Sequence, residues 1–274
     1  MISINGLASA TALRLIDTTR DRQLELMQND PVNKRGEEAF RERIANITTP
    51  EEFVADFEVY SFVMKAFDLE DQIFGKGMIR KILESDPEEN TSLLNRLTDQ
   101  RFRELHLSLG FTTAEGPQIP DFSGQAFQDA VVDRYYNRQL INDNDAQNST
   151  VGTVLEFRDA ADGLDNWFEI LRDDKLTNFF QVALGLPTQI SSLDLDKQRE
   201  LFESKFDLAD LQNPEERERL INRYMAISDV TNPQSFSAND AALSILQSAS
   251  FGAQFVPITL DVATINYSAI QLYR

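Results

Sequence analysis

The sequence holds one histidine, His106, so any acid–base chemistry an imidazole might bring rests on that residue alone. A general base needs a proton to remove and a neighbour to orient its ring, and neither a nucleophile elbow nor a second histidine accompanies it. His106 is therefore expected to be a polar side chain at the surface of a helix over residues 99–109. The run Asp145-Ala146-Gln147-Asn148-Ser149-Thr150-Val151-Gly152-Thr153-Val154-Leu155-Glu156 has the spacing of a calcium loop, with oxygen-bearing side chains at positions 1, 3, 5 and 9 and a glutamate at 12. Thr150 stands where the sharp turn asks for glycine, and only Asp145 and Glu156 bring charge. A calcium- or ligand-binding module on the acidic segment 142–156 is thus the alternative to a structural protein. Phe74-Gly75-Lys76-Gly77 has neither the spacing nor the preceding strand of a phosphate loop. Asn46, Asn90, Asn148 and Asn266 open glycosylation-like triplets that read as chance. No residue qualifies as catalytic or as a cofactor or metal ligand, and no cofactor is expected.

The formal net charge of −19, with no basic run, argues against nucleic acid, because phosphate contacts need a basic surface. It equally disfavours an anionic membrane surface. The absence of cysteine excludes disulfides, zinc-thiolate sites, iron–sulfur centres and cysteine nucleophiles. The N-terminal residues lack the basic and long apolar regions of a Sec signal, and no run approaches the roughly 18 apolar residues of a membrane span. The expected location is the cytoplasm, or outside it by a route needing no cleaved signal. Nineteen phenylalanines supply large apolar surfaces for a core.

The elements that would position these residues are helices. The run from Thr49 to Leu69 predicts one central helix, with Phe53, Phe57, Tyr60, Met64 and Phe67 on one face. Thr49-Pro50-Glu51-Glu52, Asp86-Pro87-Glu88-Glu89 and Asn213-Pro214-Glu215-Glu216 each pair a capping side chain with proline and two carboxylates. Those are the residue types of a helix start, where the dipole favours negative charge. Residues 1–34 predict a partly exposed helical arm, 35–111 and 125–228 two helical subdomains, and Thr112 to Gly124 a loop between them. Leu97-Thr98-Asp99 through Leu105 resembles Leu171-Arg172-Asp173 through Phe179, and Ala66-Phe67-Asp68-Leu69 resembles Ala183-Leu184-Gly185-Leu186. Two pseudo-repeated halves, or only the common look of capped amphipathic helices, would give that similarity. With almost no strand signal, the fold class is all-α, a multi-helix bundle.

After Ser228 the composition shifts to Ala, Ser, Asn, Gln and aliphatic residues, forming a low-charge amphipathic C-terminal segment over 229–274. There Ile258, Val262, Ile265, Ala269 and Leu272 keep heptad a/d spacing, a seam too short to stand without a partner. These five are the expected partner contacts, whether with another protein or through self-association.

Four blocks, around Phe57, Met64-Lys65-Ala66-Phe67-Asp68-Leu69-Glu70-Asp71, Arg80-Lys81-Ile82-Leu83-Glu84 and Asn95-Arg96-Leu97-Thr98-Asp99-Gln100-Arg101-Phe102, resemble an alphaproteobacterial family of unknown function. Ala183-Leu184-Gly185-Leu186-Pro187, Asp196-Lys197-Gln198 and Phe206 through Glu215 fit the same family, and the likeness spans about residues 10–228. Asp68 and Asn213 stand where the family pattern has glycine and aspartate. Its members often sit among flagellar genes and its pattern marks no catalytic residue. The resemblance therefore implies a non-enzymatic, flagellum-associated helical protein acting through protein–protein contacts.

Overall fold

The computed structural model describes residues 2–231. Among them run thirteen α-helices: α1 (Ser9–Gln28), α2 (Pro31–Arg43), α3 (Pro50–Ala55), α4 (Phe57–Ala66), α5 (Lys76–Leu83), α6 (Leu93–Arg96), α7 (Gln100–Leu109), α8 (Gln125–Asp145), α9 (Ser149–Ala160), α10 (Trp167–Ile170), α11 (Asp174–Ala183), α12 (Leu195–Glu203) and α13 (Pro214–Thr231). One two-residue antiparallel ribbon, β1 (Thr112–Thr113) with β2 (Gly116–Pro117), lies in the expected 112–124 loop. The all-α reading holds. The predicted partner residues Ile258, Val262, Ile265, Ala269 and Leu272 lie outside the described residues.

The central helix is broken in two. Asp56 adopts an extended backbone and its carboxylate accepts from Glu58 N and Val59 N, so it ends α3 and caps α4. The apolar spacing runs unbroken through residue 56, which is why periodicity alone hides the break. Phe53, Tyr60, Met64 and Phe67 are buried as expected, while Phe57, at the first position of α4, is exposed. Two of the three proline-carboxylate starts open helices. Thr49 Oγ1 accepts from Glu52 N ahead of α3, and Asn213 Oδ1 accepts from Glu215 N ahead of α13. The third does not: Asp86 Oδ1 accepts from Glu88 N within a turn, and no helix begins until Leu93. Local chemistry is equal at all three, but after Asn213 the chain carries buried Leu220, Ile221, Tyr224 and Met225 at helical spacing, whereas after Asp86 it turns at Asn90-Thr91 before any apolar residue is reached.

Two aromatic cores are built. The first gathers Phe40, Phe53, Tyr60, Phe62, Phe111, Tyr135 and Tyr136, with Phe62 stacked between Phe40 and Tyr135 at centroid distances of 4.9 and 4.2 Å. The second gathers Phe157, Trp167, Phe179, Phe180, Phe202 and Tyr224, with Phe157 stacked on Phe179 at 4.0 Å. The passage between them is inside α8. Val131, Val132, Tyr135 and Tyr136 of α8 serve the first core and Ile141 the second. The N-terminal segment touches both cores. Ala12, Leu13 and Ile16 of α1 are buried in the second core and Leu24 and Met27 pack on the first, so this partly exposed helix is a strut across both. Its start is pinned by Ser9, whose N–H and hydroxyl donate to Asp229 of α13 at 3.1 and 2.5 Å.

The internal similarity resolves into local chemistry. Asp99 caps α7 and Asp173 caps α11, each accepting a first-turn N–H. Asp68 and Gly185 both terminate a helix in the left-handed region, at φ 56° and 68°, with Leu69 N donating to Met64 O and Leu186 N to Gln181 O at 2.8 Å. This is the six-to-one closure of a Schellman ending. In the second half, however, cap and ending belong to one helix, α11, whereas in the first they belong to α7 and α4 in reversed chain order. Capped amphipathic helices account for the likeness without a duplication.

Candidate functional site

The ionisable side chains converge most where α4, α7, α8 and α9 meet. Arg138 of α8 has a side chain only 8% exposed, and its guanidinium donates to both carboxylate oxygens of Glu156 on α9 at 2.8 and 2.7 Å. A further N–H reaches Asp159 at 3.2 Å, and Asp68 lies 3.7 Å away. Asp68 also accepts from Asn142 of α8 at 3.0 Å and faces Arg101 of α7 at 3.4 Å, while Arg101 is clasped by Asp99 at 2.8 Å. The Arg101 pKa is raised, chiefly by its hydrogen bond to Asp99 and against the pull of burial. Burial pushes the Glu156 carboxyl upward despite the opposing fields of Arg138 and Lys175, so removal from water outweighs the ion pair there.

Asp68 is the one non-glycine residue with positive φ among the described residues. An L-residue pays roughly 1 kcal/mol or more for that backbone, and here the carboxylate ties the end of α4 to α7 and α8. The two parts are separable by mutation. Asp68→Ala keeps the backbone cost and loses the contacts, whereas Asp68→Gly loses both. The glycine variant is expected to be more stable than the alanine variant by about 1 kcal/mol, read from urea midpoints. Equal stabilities would mean the left-handed turn is not what the sequence departure at 68 is about.

Beside this seam a groove of about 560 Å³ opens between α1, α8 and α9. Its rim is polar: Asn137 accepts from Arg20 and donates to Asp159, both at 2.5 Å. The Arg134 guanidinium lies over the Phe67 ring at 4.3 Å and donates to the Ala66 carbonyl at 3.0 Å. Carboxylates and guanidiniums here neutralise one another, an arrangement that clamps helices together.

Of the candidate ligands named from the sequence, Glu156 lies in the seam and the others are placed elsewhere. His106 is 1% exposed, which corrects the surface expectation; its Nε2 is 2.9 Å from the Ser85 carbonyl. The 145–156 run is not a loop that gathers oxygens. Asp145 ends α8 and pairs with Lys175 at 3.3 Å, Asn148 caps α9 through Val151 N at 3.1 Å, and Glu156 belongs to Arg138. That also sets aside Asn148 as a glycan acceptor, since its side chain is buried. Among the described residues no group of three or more His, Cys, Asp or Glu is placed to hold a metal ion. No helix among them is long and apolar enough to cross a membrane.

Two residues went unremarked as surface features. Phe74, between buried Ile73 and the turn at Gly75, is 96% exposed, and Phe57 is 57% exposed with the Lys76 ammonium 5.5 Å from its ring centre. The only sequence signal was an aromatic residue set against Gly75-Lys76-Gly77.

The family model described as protein of unknown function, DUF1217, matches residues 66–217, more than half of the chain. The chain belongs to the DUF1217 family. Every member of the Arg138 seam, from Asp68 to Asp159, falls within the DUF1217 match. A crystal structure of a structural genomics protein from Agrobacterium tumefaciens, an alphaproteobacterium, is similar at 29% identity and TM-score 0.73, over 85% of this chain and 98% of that one. No curated protein matches.

Proposed function

We propose that this DUF1217 protein is a non-enzymatic structural or assembly component, associated with the flagellum, that works through helix-mediated contacts with other proteins. The observation that carries the contact role is the exposure of Phe74 and Phe57, at 96% and 57%. Large aromatics held in water by well-packed neighbours are the kind of side chain that anchors protein interfaces. The clamped seam supports the same reading for Phe57, because it fixes α4, the helix that carries it. The low-charge seam of Ile258, Val262, Ile265, Ala269 and Leu272 is the second proposed contact. The flagellar setting rests on the resemblance of the sequence blocks to a family found among flagellar genes.

The test is localisation and co-purification in the source cell, using the tagged full chain and a Phe57→Ser/Phe74→Ser variant. The wild type is expected in the flagellar fraction with a defined partner, and the variant, folded by circular dichroism, is expected to lose that partner. A wild type spread evenly through the cell would remove the flagellar assignment. Equal recovery of partners by both proteins would remove the aromatic contact.

A further inference from the structure

We propose that the corner where α5, α6 and α7 meet is a proton-sensitive latch, shut while His106 is neutral and opened when its second ring nitrogen takes a proton. The corner is small and closes on few bonds. Its centre is Ser85, one residue past the end-cap of α5, whose hydroxyl donates to the Lys81 carbonyl at 2.7 Å and accepts from Leu94 N at 3.4 Å. His106 reaches the Ser85 carbonyl through Nε2, which fixes the neutral tautomer with the proton on that nitrogen. Nδ1 is buried and meets no hydrogen-bond partner among the described residues. A proton placed there would have no acceptor and would put a cation in a site removed from water.

The surrounding charges offer no relief. Arg103, on the same helix and bonded to Asn95 of α6 at 2.6 Å, is the charged group whose field bears on the ring, and it is repulsive. On the neighbouring elements, α5 carries Arg80 and Lys81, with Glu84 drawn to Arg80 at 3.6 Å, α6 carries Arg96, and the turn between them carries Glu88, Asp86, which accepts from Glu88 N, and Glu89, which accepts from Thr91. Burial, opposed by the Ser85 carbonyl, accordingly holds the His106 pKa below its ordinary 6.5.

The sign follows. A histidine with a depressed folded pKa binds fewer protons when closed than when open, so acid favours opening once the pH drops through the ordinary value near 6.5. With an open form of ordinary basicity, opening at pH 5.5 is multiplied over neutral pH by at most about tenfold. What opens is the 84–97 turn and α6, which uncovers Leu83 and Leu94. The wider body is held by contacts that do not involve His106.

Because the chain has a single histidine, one imidazole proton resonance reports it without mutation. In the full chain, that resonance is expected to titrate with a midpoint below 6.5, while amides of 84–97 exchange faster at pH 5.5 than at pH 7.5, by up to about tenfold, after correction for intrinsic rates. His106→Gln, which keeps a donor for Ser85 but cannot titrate, is expected to remove the acceleration. A folded-state resonance titrating at or above 6.5 overturns the latch. So does unchanged protection of 84–97 in the wild type, or an acceleration that survives in His106→Gln. If the glutamine variant does not fold, the wild-type resonance and exchange data decide by themselves.

Discussion

Gly152→Ala is expected to destabilise the protein by about 3 kcal/mol, at the upper end of ordinary overpacking. Gly152 sits in the first turn of α9, against the last residue of α8, and a Cβ built on it would come within 2.5 Å of the Asp145 Cα. The obstacle is backbone, so no side-chain rotation clears it. To admit one methyl, α8 and α9 must move apart, and these helices also carry the Arg138–Glu156 pair. Gly77→Ala is the internal control. Gly77 lies within α5, a Cβ there meets nothing within 4 Å, and the change is expected to stabilise by about 0.5–1 kcal/mol. The two variants are read from urea unfolding midpoints. A Gly152→Ala protein as stable as the wild type would mean that α8 and α9 are not in this close approach.

The second large effect is expected at the buried arginine. Arg138→Met removes the partner of a carboxylate whose side chain is 17% exposed, and losing one member of such a pair costs about 3–5 kcal/mol at neutral pH. Asp159 and Asp68 lose a contact as well, but their side chains are 45% and 31% exposed and water can take the place of the guanidinium. The uncompensated charge is therefore that of Glu156. Its folded pKa is already raised by burial, and without Arg138 it rises further. A carboxyl with a raised folded pKa is penalised while ionised, so the deficit is full above that pKa and shrinks as the pH falls through it. The variant should accordingly lie nearer to wild type at pH 5 than at pH 7.5 in chemical denaturation. Arg138→Met/Glu156→Leu should recover most of the loss at pH 7.5, because both charges are then gone. A single variant with a deficit independent of pH, or a double variant no better than the single, would show that the seam is not held in this way.

Much of the helix framework is written in local residue types. Thr49, Asp99, Asp173 and Asn213 each cap a helix through a carboxylate, amide or hydroxyl oxygen, and Asn29-Asp30-Pro31 ends one helix while Asp30 starts the next. The departure noted at Asp68, where glycine is the family residue, coincides with a left-handed backbone. What could not be read is equally specific. Asp56 looks like one more polar residue on an exposed face, yet it divides the central helix. Asp86 carries the same cap chemistry as Asn213 without a helix behind it. The polar segment 142–149, by contrast, reads as a turn or a polar helix junction, and α8 ends within it at Asp145 while Asn148 caps α9.

The candidate site was the least legible part. Arg138 and Glu156 are 18 positions apart and Arg101 and Asp68 are 33 apart, and nothing in their neighbours announces either pairing. The sequence by itself determined the all-α class, several helix starts and the absence of thiol chemistry, because caps, apolar period and composition act over a few residues. Tertiary structure alone decided that His106 is buried, that the calcium-like run is divided among a helix end, a cap and an arginine pair, and that α1 joins both cores. Each of those outcomes depends on which charges and apolar faces are brought together from distant positions, and on the cost of taking them out of water.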